Sequence, residues 1–208
     1  MASVAALIGD VVGSRLAADR EALHADLQEA LAQVNRSDEV VTPLRITVGD
    51  EYQGCFRTVG AALRATLRLK LALRGRADLR HGVARGPVSV LSDEPRVEDG
   101  EAWWDAREAI EYVKATQQRS LPALRTAYRC RAASADEVAV VNAVLVGRDE
   151  LLGRLDERGL SVLDAMLQGM KNVDVARRLG ITPAAVSQRR RHGVAAIAEI
   201  DRLVGSLE

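Results

Sequence analysis

Two carboxylates stand where apolar runs stop. Asp10 closes "ALIGD", and Asp50 follows Gly49 in "RITVGDEYQG". Short apolar runs bounded by turn residues read as buried strands, so both carboxylates are delivered to strand tips. Such a pair can hold Mg2+ or Mn2+, hard ions that take oxygen ligands and keep positions open for phosphate. Gly13 and Ser14 carry the chain after Asp10 through a turn ahead of a helix, where an anion can approach, and Arg15 sits beside them. The plainer reading makes Asp10 and Asp50 strand-end caps that accept backbone N–H bonds. Glu51 reads as a solvated hairpin residue rather than a third ligand.

A different chemistry lies near the far end, in "ITPAAVSQRRR". Ser187 and Gln188 can read base edges, and Arg189, Arg190 and Arg191 can read guanine or grip phosphate. Between the two regions, Trp103 and Trp104 are the only tryptophans. They read either as core or interface residues or as a platform that stacks a base. Arg107, one turn beyond Trp103, suits a phosphate contact and a helix-surface ion pair equally. His24, His81 and His192 have no metal-type spacing and are read as structural. Cys55 and Cys130 read as reduced thiols.

The elements that must position these residues follow from periodicity. "SVAALIGDVVG" is a buried strand. "AADREALHADLQEALAQVN" is an amphipathic helix with Leu23, Leu27, Leu31 and Val34 on one face. Two β-rich runs flank Gly49-Asp50 as a hairpin. A helix over "VGAALRATLRLKLALRG" and a strand around "DLRHGVARGPV" follow. Next come "SDEPRVEDG" as a polar loop, a helix over "EAWWDAREAIEYVKATQQ" and a last strand at "ALRTAYRCR". The order β-α-β-β-α-β predicts an α+β fold. It is a ferredoxin-like, split βαβ antiparallel sheet with helices on one face and the strands of Asp10 and Asp50 side by side.

After residue 133 only helices are predicted, at about 134–146, at 149–155, and through the last fifty residues. Leu160, Leu163, Leu167 and Met170 line one helix; Asn172 is placed to cap the next, and Gly180 to end it. Thr182 then serves as N-cap and Pro183 as first helical residue, while Val186, Val194 and Ile197 turn inward. This is a helix-turn-helix pattern whose second helix would enter the major groove through Thr182, Ala184, Ser187, Gln188 and Arg189–Arg191. The organisation predicted is residues 1–132 as the sheet domain, 133–156 as connecting and dimerisation helices, and 157–208 as an all-α DNA-binding domain.

Composition sets the outer limits. The chain has 208 residues, 48% of them hydrophobic, and a formal net charge of zero. There is no global pull towards nucleic acid or membrane. Residues 158–208 nevertheless carry 8 Lys/Arg against 5 Asp/Glu, so the predicted DNA-binding end leans basic. The first ten residues lack the basic start of a signal peptide, and no stretch is apolar enough to span a bilayer. The expected location is the cytoplasm.

The blocks "IGDVVGSR", "TVGDEYQG", "RHGVARGPV" and "DGEAWWDAREAI", in that order, resemble the SatD family of bacterial proteins. "AAVSQRRR" also fits the helix-turn-helix that many members carry, and is similar to the LuxR type and to region 4 of sigma factors. The same blocks more distantly resemble class III nucleotidyl cyclases. That likeness implies that Asp10 and Asp50 hold Mg2+ or Mn2+ beneath a nucleotide, with Gly13, Ser14, Arg15, Trp103 and Arg107 around it. The strand Gly82 to Val88 matches the cyclase strand after the hairpin. Trp103 stands where cyclases carry an Asn, and Arg45 or Ile46 where they carry a base-selecting Lys. The resemblance therefore implies binding rather than turnover. The expected protein is a homodimeric regulator of double-stranded DNA with a nucleotide or cyclic-nucleotide effector. The alternatives are a nucleotidyl cyclase or phosphoryl-transfer enzyme targeted to DNA, and a ligand-free dimerisation platform.

Overall fold

A computed structural model describes residues 3–14 and 18–208. The first strand, β1 (Ser3–Val11), is buried along nearly its whole length. Its unbroken apolar run is explained by its place at the centre of a five-stranded sheet. The other strands are β2 (Val40–Val48), β3 (Glu51–Phe56), β4 (Leu79–Pro87) and β7 (Thr126–Arg129). The order is β2-β3-β1-β4-β7, antiparallel except for the parallel pair β4–β7.

Two sequence expectations are corrected here. The strands before Asp10 and Asp50 are not neighbours, because β3 lies between β1 and β2. The reason is legible in β2 itself, which carries Pro43 and breaks register between Thr42 and Arg45. Proline cannot donate to a ladder, so it belongs at an edge. Val41 and Val48 are accordingly exposed, while Tyr52, Cys55 and Phe56 of β3 are buried. Helices also cover both faces rather than one. Ala5, Leu7 and Val11 pack under α1 (Arg20–Val34) and α2 (Val59–Ala72). Val4, Ala6 and Ile8 pack under α3 (Glu101–Arg119). A strand apolar on both sides needs a cover on each.

The segment read as a polar loop is a second small hairpin, β5 (Ser89–Asp93) and β6 (Arg96–Asp99). It folds onto β2 through Thr42 Oγ1 donating to Glu98 at 2.7 Å and Arg45 donating to the Arg96 carbonyl at 2.7 Å. The two helices expected at 134–146 and 149–155 are one, α4 (Ala135–Gly153), capped by Ser134. Its inward residues Val141, Leu145, Arg148, Asp149 and Leu152 keep helical spacing straight past the exposed Gly147. One glycine in a helix costs only about 1 kcal/mol, less than burying this face returns.

Arg148 and Asp149 are the least expected members of the core. Arg148 donates to Thr126 Oγ1 at 2.7 Å, and Asp149 accepts from the backbone N–H groups of Arg125 (2.8 Å) and Thr126 (2.7 Å). They fasten α4 to the start of β7. Burial pushes the Asp149 carboxyl up, against the pull of Arg148 and the two backbone donors.

The last fifty residues form α5 (Glu157–Leu167), α6 (Asn172–Leu179), α7 (Pro183–Arg189) and α8 (Ala195–Val204). They do not close a core of their own. Val162, Leu163, Val175, Ala176, Val186, Val194 and Ile197 share a cluster with Leu67 and Leu71 of α2 and Leu152 of α4. The helix α2 thus packs against the sheet core on one side and the helical core on the other.

Candidate functional site

The β2–β3 turn, Gly49-Asp50, ends beside the tip of β1. Asp50 Oδ2 accepts the backbone N–H of Val11 at 3.0 Å, so the hairpin tip is pinned to the strand that carries Asp10. The two strand tips therefore lie side by side, but the carboxylates of Asp10 and Asp50 turn to opposite sides of the sheet. Their partners differ. Asp10 faces the α3 side, where Arg80 on β4 donates to Oδ1 at 2.8 Å and Lys114 on α3 sits 3.1 Å from Oδ2. Asp50 and Ser14 instead line a cleft on the α1 side with Val11, Arg20 and His24.

Glu51, expected to be a bystander, is bound. Arg107 donates to both of its carboxylate oxygens at 2.6 Å. Arg107, Glu111 and Lys114 recur at i, i+4 and i+7, one stripe of α3 laid along the strand tips. Lys114 also pairs with Glu111 at 2.9 Å. The hydrogen bond from Arg107 holds the Glu51 carboxyl below its usual value. Burial works against the charge on Lys114, but hydrogen bonds to Glu111 and Asp10 outweigh it and raise its pKa. Sequence reasoning missed Lys114 and Arg80. The stripe spacing was readable on α3; the Asp10–Arg80 register, across seventy positions, was not.

This donor set does not fit Mg2+. Both oxygens of Asp10 already face cations, and one oxygen of Asp50 caps a backbone N–H. A divalent ion would have to displace the Lys114 ammonium and sit beside the Arg80 guanidinium. Among the described residues no three His, Cys, Asp or Glu side chains converge on a point.

The surrounding expectations divide. Gly13 adopts a left-handed turn conformation after β1, and Arg15 lies outside the described residues. Trp103 is 8% exposed and packs with Val4, Ala6, Cys55 and Ala84. Its ring fills the layer between α3 and the sheet and is not free to stack a base. Arg107 forms the ion-pair contact of its two sequence readings, with Glu51, and its side chain stays 43% exposed. Beneath the tip, the Tyr52 hydroxyl and His81 Nε2 lie 2.7 Å apart, both wholly buried. Burial pulls His81 down to about 3.

At the other end, Gly180 takes the left-handed conformation that closes α6, and Thr182 Oγ1 caps α7 by accepting from Ala185 at 3.1 Å. Asn172 does not cap α6; Lys171 holds that position without a side-chain bond. The Asn172 amide instead accepts from Arg190 at 2.7 Å and reaches towards Ser187 at 3.5 Å. Ser187 and Arg190 therefore face back towards α6, and Arg189 leans to Asp156 at 3.4 Å. Thr182, Ala184, Gln188 and Arg191 are exposed. The chain kinks at His192 and Gly193 before α8.

The family model described as the SatD family matches residues 4–197. No curated protein matches the chain. Among solved structures it is similar to a bacterial light-regulated adenylyl cyclase, with 14% identity and a TM-score of 0.46 over 61% of this chain and 75% of that one. It is also similar to the catalytic core of a rhodopsin–guanylyl cyclase with converted specificity, solved in complex with ATPαS. There identity is 15% and the TM-score 0.44, over 57% of this chain and 82% of that one. A regulator of polyketide synthase expression from Bifidobacterium adolescentis aligns over 99% of this chain and 86% of its own, at 17% identity and a TM-score of 0.30. No helix among the described residues is long and apolar enough to cross a membrane.

Proposed function

The chain belongs to the SatD family, and from that premise we propose a DNA-binding transcriptional regulator with a ligand-sensing sheet half. In this reading α6 and α7 act as a helix-turn-helix, with α7 entering the major groove. One observation carries it: Ala184 and Gln188 on α7, its N-cap Thr182 and Arg191 in the turn after it are exposed, while Val186 of α7 is buried against its neighbours. Ser187 and Arg190 brace that helix from behind through Asn172. A module this small makes few phosphate contacts, so the working form is a homodimer on two half-sites.

The sheet half takes a phosphate-bearing effector of the nucleotide class. Coupling runs through α2 and α4, which contribute Leu67, Leu71 and Leu152 to the core that supports α5–α8. Linkage requires that the effector prefer one arrangement of that core over another. Mg2+ and Mn2+ have no part in this reading, because the oxygens of Asp10 face Arg80 and Lys114. Phosphoryl transfer is not favoured either, with Arg107 held by Glu51 and Trp103 buried.

The test is fluorescence anisotropy with a random duplex pool, followed by rounds of enrichment. Duplex binding that weakens with salt, and a recovered sequence that Gln188→Ala blurs, are expected. Absence of duplex binding at low salt, or binding indifferent to Gln188→Ala and Arg191→Ala together, would sink the reading.

A further inference from the structure

A cleft of about 500 Å3 lies away from the strand tips, where the sheet half meets the helical half. Its walls are the end of α1, the first turns of α2 and the chain that follows α8. Arg36, Arg64 and Arg68 line it. Among the described residues these three side chains make no ion pair and no hydrogen bond. The buried carboxylate of Asp201 on α8 feels Arg64 and Arg68 but closes no ion pair with either. Like charges brought together in a concave site repel, and an anion between them relieves that repulsion.

The cleft is also shaped. A Cβ on Gly205 would come to 2.1 Å from the Arg64 guanidinium, so the glycine makes room for the arginine to lie against the backbone. Leu207 accepts the backbone N–H of Gly60 at 2.9 Å, which ties the chain after α8 to the first turn of α2. Val34, Phe56, Ala61 and Ala65 supply an apolar floor. Glu39 and Glu208 also line the cleft; they are exposed to water, as are Arg36 and Arg68, so water screens all four and Arg64 is the half-buried arginine of the site. Arg68 lines the adjoining clefts against α5 and α8 as well. A group held by Arg68 therefore bears on both halves of the molecule.

We infer that this cleft binds a phosphate-bearing small molecule of nucleotide size, with the phosphates on Arg36, Arg64 and Arg68 and the organic part on the apolar floor. The volume is in the range of small-ligand sites, and arginine is the side chain best matched to phosphate. The inference rests on the effector half of the function proposed above and deepens it, placing the effector at the junction of the two halves.

Calorimetry in EDTA, with ATP, GTP, inorganic phosphate and adenosine as separate probes, tests it on the full chain without DNA. ATP or GTP is expected to bind, inorganic phosphate more weakly, and adenosine not at all. Arg64→Gln with Arg68→Gln should weaken nucleotide binding at least tenfold. Gly205→Ala, which removes no charge, should weaken it several-fold, while Asp10→Asn leaves it unchanged. Melting curves confirm that each variant folds. The inference is overturned by no nucleotide binding, by binding intact in the double arginine variant, or by inorganic phosphate binding as tightly as nucleotide. Because DNA is absent, failure here leaves the DNA-binding reading standing, and failure of duplex binding leaves this titration intact.

Discussion

Lys114 stands 3.1 Å from the oxygen of Asp10 that Arg80 does not use. A carboxylate at a strand tip is thus neutralised from two directions, by a strand neighbour and by a helix crossing above. The side chains of Asp10 and Lys114 are 10% and 28% exposed, so the pair is screened from water only in part. Lys114→Met should lower stability by about 1–3 kcal/mol, the cost of leaving a largely buried acceptor short of a partner. Asp10→Asn in the same chain should recover part of that loss. Urea denaturation of the single and double variants measures both. Millimolar Mg2+ should leave the wild-type melting temperature unmoved; a clear rise would mean that the metal can displace the lysine.

His81 gives the larger pH effect. Its folded-state pKa is pulled from 6.5 to about 3 by burial first, with Arg148 and Lys70 adding to it and Asp78 opposing. In the folded state the ring is neutral down to that value, whereas the unfolded chain takes up a proton near 6.5. The unfolded state therefore binds more protons between the two, and stability falls as pH drops below 6.5. The limiting slope for one such group is about 1.4 kcal/mol per pH unit. His81→Gln, which keeps a hydrogen-bonding group opposite Tyr52, should flatten this slope. Urea midpoints from pH 7 down to pH 4 check it; an equal slope in both proteins would show that another group sets it.

The ion pair inside α4 and β7 predicts a different kind of loss. Arg148 is 1% exposed, and its guanidinium serves Thr126 and Asp149 at once. Arg148→Ala leaves the Asp149 charge buried without its partner, which costs about 3–5 kcal/mol. The variant should melt far below wild type, and proteolysis should open first around β7.

The parts of this molecule legible in its sequence are those set by local rules. The apolar run of β1, the Gly180 turn and the Thr182-Pro183 helix start follow from the residues alone. Pro43 likewise marks β2 as an edge strand, which is why β3 and not β2 lies beside β1. What could not be read is register and depth. Asp10 meets Arg80 only because β1 and β4 pair antiparallel with those residues opposite. Trp103 and Trp104 are adjacent in sequence, yet one fills the core and the other is half exposed. The arginines of the junction cleft come from separate segments, Arg36 after α1 and Arg64 and Arg68 on α2, and the chain after α8 completes its wall.

The three consecutive arginines at the end of α7, Arg189 in its last position and Arg190 and Arg191 in the turn beyond, separate into distinct roles. Arg190 donates to Asn172 at 2.7 Å and Arg189 to Asp156 at 3.4 Å, whereas Arg191 is exposed. If α7 lies on DNA, Arg191 is the member open to phosphate. Arg191→Ala should weaken duplex binding across sequences and reduce the slope of log affinity against log salt by about 1. Arg190→Ala should act first on the fold, lowering the melting temperature as α6 and α7 lose their brace, with its DNA defect growing as temperature rises. Anisotropy titrations at several salt concentrations, paired with melting curves, separate the two. A salt slope unchanged by Arg191→Ala would remove that residue from the interface, and a salt slope reduced by Arg190→Ala at unchanged stability would mean that Asn172 releases it on binding.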